Sequence, residues 1–467
     1  MILKSSSHSW LVTLNHFVKS SLDYLDKKAN KSFKESTIAR LFLTIKNKTE
    51  KYLKLNNLLL YFLIASILII FLSLSLPQFA NDRFGIGILI IISIIFFLIN
   101  IFSKNISKIS FNSIDLLILL LTLILIISTF NSYFFKESFT GLLKYLLFVS
   151  CYFIFKTLLL NTKKRCFWAL WCFLFICSTI TALIGIYQYF IGVEPLAKWE
   201  DTSFENPHIR VYSTLGNPNL LGGYLLTILP VSFFTMVSLS KNLFFRLCSV
   251  LGSILLLICL IFTGSRGSYI ALITTTLFSI SILFIYLIKS RKIKIKNILL
   301  IILATTTVLY FLLTFMFPIF TERIATIFTL REHSSNSFRI NVWMSCLKMF
   351  KDNILIGIGP GNNTFRLAYG LYMKSTFDAL AAYNIFLEFG IECGILGFGA
   401  FVSIILIAFL KLHYLFWEKK KLVALGIFIS LLTIMVHGMV DTVFFRPQIF
   451  IPFWFLLASI GKLEADL

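Results

Sequence analysis

Acidic residues are scarce in this chain: 21 Asp and Glu stand against 43 Lys and Arg in 467 positions, and charged residues of all kinds make up only 14%. Soluble domains carry roughly a quarter charged residues, so this composition cannot clothe a water-soluble surface. With 22 Gly and 9 Pro there is no collagen-like repeat, and blocks of apolar residues exclude a disordered chain. Eight Cys in this length exclude a disulfide scaffold. Cys-x-x-Cys and Cys/His metal spacings are missing, so no metal, no cofactor and no required disulfide is expected. Alternating apolar and polar strands of about ten residues, the mark of an outer-membrane barrel, are missing too.

What the chain has in excess is hydrocarbon. Apolar residues reach 58%, there are 51 Phe, and mean hydropathy is +0.88. A helix needs about 20 mostly apolar residues to cross the hydrocarbon, with its backbone satisfied internally. Blocks of that kind lie near 58–76, 85–102, 112–130, 139–160, 166–187, 219–239, 243–263, 268–288, 297–317, 393–411, 422–440 and 448–462. The expected fold class is therefore all-α: a polytopic transmembrane helical bundle of about 12 spans. It divides into a basic N-terminal segment, 1–57, and a transmembrane domain, 58–467.

Positively charged short loops stay in the cytoplasm. With residues 1–57 inside, the inner loops carry Lys104 and Lys108, Lys163 to Arg165, Lys241 and Arg246, Lys289 to Lys296, and Lys411 to Lys421. Each of these loops is more basic than acidic, so both termini are expected in the cytoplasm. This placement also accounts for the net charge of +22 without nucleic acid as a partner. No cleavage site follows an apolar h-region near the start, so a removable signal peptide is not expected. Trp10, Leu14, Phe17, Val18, Leu22 and Leu25 recur at helical spacing beside Lys19, Lys27 and Lys28. That pattern suits a helix lying on an anionic leaflet of membrane lipids, the alternative being a frayed polar tail.

Two outer connections, 188–218 and 318–392, exceed the length of turns and are expected to carry function. In the second, Asn341, Ser345, Lys348 and Asp352 form a polar helical stripe opposite Phe338, Val342, Cys346 and Met349, the pattern of an amphipathic helix on the membrane surface or over the bundle. Outside that helix the polar residues are grouped. Arg210 precedes Gly216-Asn217-Pro218-Asn219, where a helix start near a basic residue suits an anion. Arg266 sits between two glycines and two serines in Thr263-Gly264-Ser265-Arg266-Gly267-Ser268, and its fork of donors suits phosphate oxygens. Arg339 lies on the amphipathic helix. For each arginine an anchor at the lipid headgroups is the alternative.

The run Gly357-Ile358-Gly359-Pro360-Gly361 has nucleotide-loop spacing, but no strand precedes it and no Lys-Ser/Thr follows, so it reads as a turn. Asn384, Glu388 and Glu392 share one helix face at the membrane boundary, where carboxylates are costly unless paired or functional. His437, in His437-Gly438-Met439-Val440-Asp441-Thr442, is the only histidine within a span, and reads either as an interhelical hydrogen-bond partner or as a proton handler.

These groups, in this order, resemble the O-antigen ligase and polymerase superfamily. The resemblance rests on Gly216 to Asn219, Ser265-Arg266-Gly267, Arg339 with Trp343, Gly357 to Gly361, and the helix entry at Asn384 to Gly397, over about 170–450. Ala381-Ala382-Tyr383, the His437 segment and Arg446-Pro447-Gln448 resemble its IctB branch, whose members carry the label of inorganic-carbon (bicarbonate) transporters. The resemblance implies a metal-independent, inverting glycosyltransferase at the outer face of a bacterial inner membrane. Its donor would be a lipid-linked glycan on a polyprenyl diphosphate, held by Arg210, Arg266 and Arg339. A small anion such as bicarbonate is the ligand under the transport reading, and the chain does not identify a protein partner. Where the ligases carry a catalytic His before the loop Asn, this chain has Tyr383, and a phenol with a pKa near 10 is protonated at neutral pH. Catalytic candidates are accordingly Tyr383, Glu388, Glu392 and His437, with His208 and His333 as further sources of a base.

Overall fold

The computed structural model describes residues 3–49, 58–77, 85–103, 105–106, 108–194, 210–239, 243–289, 335–375 and 377–466. Among these residues the only regular structure is helical. Two helices, α1 (Leu3–Glu35) and α2 (Thr37–Thr49), precede α3 (Leu58–Ser75), α4 (Gly85–Phe102), α5 (Ser113–Phe130), α6 (Phe135–Asn161) and α7 (Lys164–Ile191). Then come α8 (Pro218–Leu239), α9 (Leu243–Phe262), α10 (Arg266–Lys289), α11 (Ser335–Asp352), α12 (Asn362–Tyr369), α13 (Ile385–Trp417), α14 (Leu422–Gly438) and α15 (Pro447–Ala465). Helices occupy the expected spans except 297–317, which lies outside the described residues, as do His208 and His333. Among the described residues, nine helices are long and apolar enough to cross a membrane, and α14 is a shorter apolar one.

Lipid offers no hydrophobic force between helices, so the bundle is held by packing and by hydrogen bonds across helices. The Tyr224 hydroxyl of α8 lies 2.6 Å from Ser75 Oγ of α3 and 2.9 Å from Ser178 Oγ of α7, tying three helices at one buried point. Pro230 lacks the amide that the ladder of α8 calls for, and the next amide, Val231 N, donates to Ser430 Oγ of α14 at 3.2 Å. α14 packs along α8, α15 along α6, and α13 along α5.

The helix ends gather in two groups. At one end Lys462 Nζ donates to Thr162 O at 2.9 Å, Lys421 Nζ to Leu463 O at 2.6 Å, and Lys411 Nζ to Asp26 and Glu464 at 2.5 and 2.7 Å. This basic end holds the lysines expected on the inner side, and it also receives α1. At the opposite end Thr214 meets Ser75 O, Val211 N donates to Phe262 O, and Asn384 Nδ2 donates to Met439 O.

The amphipathic helix is α11. Val342, Cys346 and Met349 are fully buried with Phe365, Tyr369 and Ile391, so its apolar face packs on protein and caps the bundle. The polar stripe is less uniform than expected, since Ser345 is buried as well. The expected start of the tenth span, 393, falls short of the helix, which runs from Ile385 to Trp417 with a break at Gly394 (φ 65°, ψ −169°).

Candidate functional site

Arg210 leads into α8 at the end opposite the basic one. Its Nε donates to Thr263 O at 3.1 Å and its Nη2 to Asn219 Oδ1 at 2.9 Å. The aliphatic stem lies against Gly264, whose φ of 59° makes the turn and where a Cβ would come within 3.3 Å of Arg210 Cγ. Asn217 places Asn219: its Oδ1 accepts from Asn219 N and Leu220 N, capping the first turn of α8. Gly216, at φ 70°, and Pro218, the first residue of α8, set where that helix begins.

Asn219 hands the contact on. Its Nδ2 donates to Asp441 Oδ2 at 2.9 Å, and Arg339 Nη2 lies 3.6 Å from the same oxygen. Asp441 Oδ1 accepts the backbone amides of Thr442 and Val443 at 2.8 and 3.2 Å, which fixes the carboxylate where the chain leaves α14. The Arg339 guanidinium also sits 6.0 Å over the Tyr383 ring. Arg210, Asn219, Asp441, Arg339 and Tyr383 therefore form one continuous group drawn from four separate stretches of chain. Arg266 begins α10 on the turn that touches Arg210 through Thr263 and Gly264; the next residue, Gly267, abuts Val440 and His437.

Tyr383 has a left-handed backbone (φ 53°) and packs edge-on against Phe338 at 5.7 Å. Burial and the nearby Asp441 carboxylate push its phenol above the ordinary value, outweighing Arg339. The phenol is therefore protonated and is a donor. Glu388 Oε2 accepts from Ala382 N at 2.6 Å, and Asn384 caps α13 through Phe386 N and Leu387 N. Both hold the loop that carries Tyr383.

His437 and Glu392 are placed elsewhere. The imidazole Nε2 of buried His437 is 3.3 Å from Ser268 Oγ, which in turn donates to Ser265 Oγ at 3.0 Å, so His437 braces the Arg266 turn from inside the bundle. A cavity of about 10 Å³ beside the ring, between Gly223, Thr227 and Thr433, has room for roughly one water. Glu392 is buried and joins Tyr145, whose hydroxyl donates to Oε2 at 2.9 Å, and Gly361, whose amide donates to Oε1 at 2.7 Å. The glycine run braces α13 rather than forming a free turn. Gly394 breaks the helix, and the carbonyls of Ile391 and Glu392 accept instead from Ile358 N and Gly359 N at 2.9 and 3.0 Å.

Asp441 and Ser268 stood in the quoted motifs but not among the candidate residues. Asp441 sits three residues past α14 beside an outer arginine, and an acid at that depth asks for a partner. Neither Asn219 nor Ser268 has a signal in the chain that names its partner.

Residues 251–402, about a third of the chain, match the family model described as O-antigen ligase. Over that segment the chain is similar to the O-antigen ligase family. The matched segment contains Arg266, Arg339, Tyr383, Glu388 and Glu392; Arg210, Asn219, His437 and Asp441 lie outside it and reach it through the contacts above. With the spanning helices, the match supports a multi-pass membrane protein of O-antigen ligase type. No curated protein matches the chain.

Proposed function

We propose that the protein binds a glycan carried on a polyprenyl diphosphate at the outer face of a bacterial inner membrane and transfers it to an acceptor hydroxyl. In that reaction the acceptor oxygen bonds to the anomeric carbon, the bond from that carbon to the diphosphate breaks with inversion, the electron pair departs on the diphosphate, and the acceptor's proton passes through water to the released diphosphate. Charge grows on the leaving group, and fixed guanidinium groups stabilise it most in the transition state. The observation that carries the reading is the bridge Arg210–Asn219–Asp441–Arg339 beside the turn of Arg266. It links the guanidinium groups of Arg210 and Arg339 through one amide and one carboxylate, with Arg266 on the adjoining turn, and so leaves an excess of positive charge for a diphosphate.

In this reading Arg210, Arg266 and Arg339 hold the diphosphate and Tyr383 donates a hydrogen bond to it. Glu388 positions the Tyr383 loop and His437 positions the Arg266 turn, each through the bond described above. Glu392 is already shared between Tyr145 and Gly361 and is not used as the base.

Arg210→Ala and Arg266→Ala, tested with a lipid-linked donor, are expected to lower transfer at least a hundredfold with the protein still folded; unchanged turnover removes the reading. The transport reading of the IctB branch uses the same positive groups, and labelled bicarbonate uptake into reconstituted liposomes separates the two. Uptake that survives without any glycan transfer would favour the transporter.

A further inference from the structure

A second cavity, of about 70 Å³, lies where α6 meets the start of α12 and the break in α13. It touches none of the arginines. Its floor is the buried pair Glu392 and Tyr145, 3% and 7% exposed. Its walls include the rings of Phe148 and Phe450, 5.3 Å apart, and its rim is exposed, with Lys144 and Asn362 at the edge.

The lining selects its ligand. Each carboxylate oxygen of Glu392 accepts one hydrogen bond and keeps a second lone pair, so the floor can still accept from hydroxyl groups. Lys144 supplies donors at the rim, and the Asn362 amide offers both kinds of atom. A free anion would face the Glu392 carboxylate, and a metal cation would face the Lys144 ammonium. A neutral ring rich in hydroxyls, with apolar C–H faces to lie on Phe148 and Phe450, satisfies every group present. The volume of about 70 Å³ admits about five to seven waters at ~10–15 Å³ each, which suits one edge of a pyranose with the rest of the ring over the open rim.

We propose that this cavity is a saccharide subsite for a neutral pyranose ring, separate from the arginine cluster. It goes beyond the diphosphate reading and stands without it, because no residue is shared between the two sites.

The test is saturation-transfer NMR on the full-length protein in nanodiscs with methyl glycosides of glucose, galactose and N-acetylglucosamine. Thr140 lines the cavity from its exposed side and bonds only within its own helix, to Lys136 O at 3.0 Å, so Thr140→Trp fills the space without disturbing the floor. The expected result is saturation transfer to at least one glycoside, at least tenfold weaker in Thr140→Trp and unchanged in Arg210→Ala. Absence of transfer to all three glycosides overturns the proposal, as does transfer that persists in Thr140→Trp. Loss in Arg210→Ala as well would put the sugar at the arginines and also overturns it. Binding of undecaprenyl diphosphate by the same variants reads the other site, so failure of one proposal is distinguishable from failure of the other.

Discussion

Asn219 and Asp441 are 222 residues apart in the chain and 2.9 Å apart in the fold, amide nitrogen to carboxylate oxygen. That bond joins the start of α8 to the segment that leaves α14, and it sets Arg210 at a fixed place relative to Arg339. Losing the amide takes the Asn219 Oδ1 acceptor from Arg210 Nη2 and leaves Asp441 with one partner fewer. An unmade bond of this kind costs about 1–3 kcal/mol, and each ~1.4 kcal/mol is tenfold in rate. Asn219→Ala is expected to lower transfer by about 10- to 100-fold while thermal unfolding in detergent moves little. A wild-type rate would mean that the bridge does not order the arginines.

The same geometry makes Arg210→Lys a poor replacement. One guanidinium donates to Thr263 O and to Asn219 Oδ1 from two different nitrogens, and its fork fixes both directions. A lysine is a single point charge on a flexible stem and cannot span both acceptors. Arg210→Lys is expected to fall within about threefold of Arg210→Ala in the transfer assay. Recovery of most of the activity by Lys would show that charge alone suffices there.

Much of the bundle was legible in the chain because hydropathy acts locally: twenty apolar residues in lipid have few alternatives to a helix. The arginine-bearing turns were legible for a related reason, since polar residues are rare enough here to be noticed. Their partners were not. Asn219 finds Asp441, and Glu392 finds Tyr145, across 222 and 247 residues, and pairings at that range are set by how helices pack, which no local pattern encodes. The glycine run shows the limit well. Its spacing suggested a turn, and only the break at Gly394 explains why amides at 358 and 359 are needed beside α13.

That break gives a stability prediction. At φ 65° and ψ −169°, Gly394 occupies a region open in practice only to glycine, and a Cβ there would stand 2.3 Å from the carbonyl carbon of Leu355. Neither backbone can move without giving up the bond from Ile395 N to Ile354 O at 2.7 Å. Gly394→Ala is expected to cost about 2–4 kcal/mol, the range for a forced backbone plus a steric clash, read as a lower unfolding temperature in detergent. An unchanged unfolding temperature would mean that α13 straightens at no cost.

Tyr383 gives a prediction in pH. Burial first, and then the Asp441 carboxylate, hold its phenol above the ordinary value near 10, so the neutral form persists well past neutrality. A donor phenol gives a rate that is flat with respect to this group between about pH 6 and 9, whereas a base phenol gives a limb rising towards 10. Tyr383→Phe is expected to lower transfer about tenfold, the scale of one hydrogen bond, and to leave the pH profile unchanged. A rising limb present in the wild type and absent in Tyr383→Phe would assign the base to this residue.

The last prediction concerns the other end of the molecule, where α1 is held by Asp26. Its Oδ1 accepts from Ser113 N and Ser113 Oγ at 2.9 and 2.6 Å, and its Oδ2 accepts from Lys411 at 2.5 Å. Burial raises the Asp26 carboxyl, but the Lys411 charge and the bonds from Lys411 and Ser113 together outweigh it, so the group titrates below its ordinary value. A lowered carboxylate pKa contributes stability that is fully present above the unfolded value, near 3.9, and is lost as pH falls through the folded one. Docking of α1, followed by hydrogen exchange over residues 19–35, is therefore expected to stay constant from about pH 8 to 5 and to weaken only in stronger acid. Asp26→Asn leaves Lys411, only 2% exposed, with Glu464 as its remaining carboxylate partner, and is expected to reduce protection of α1 across that whole window. Protection that falls between about pH 7 and 5 in the wild type would assign the docking to a different titrating group.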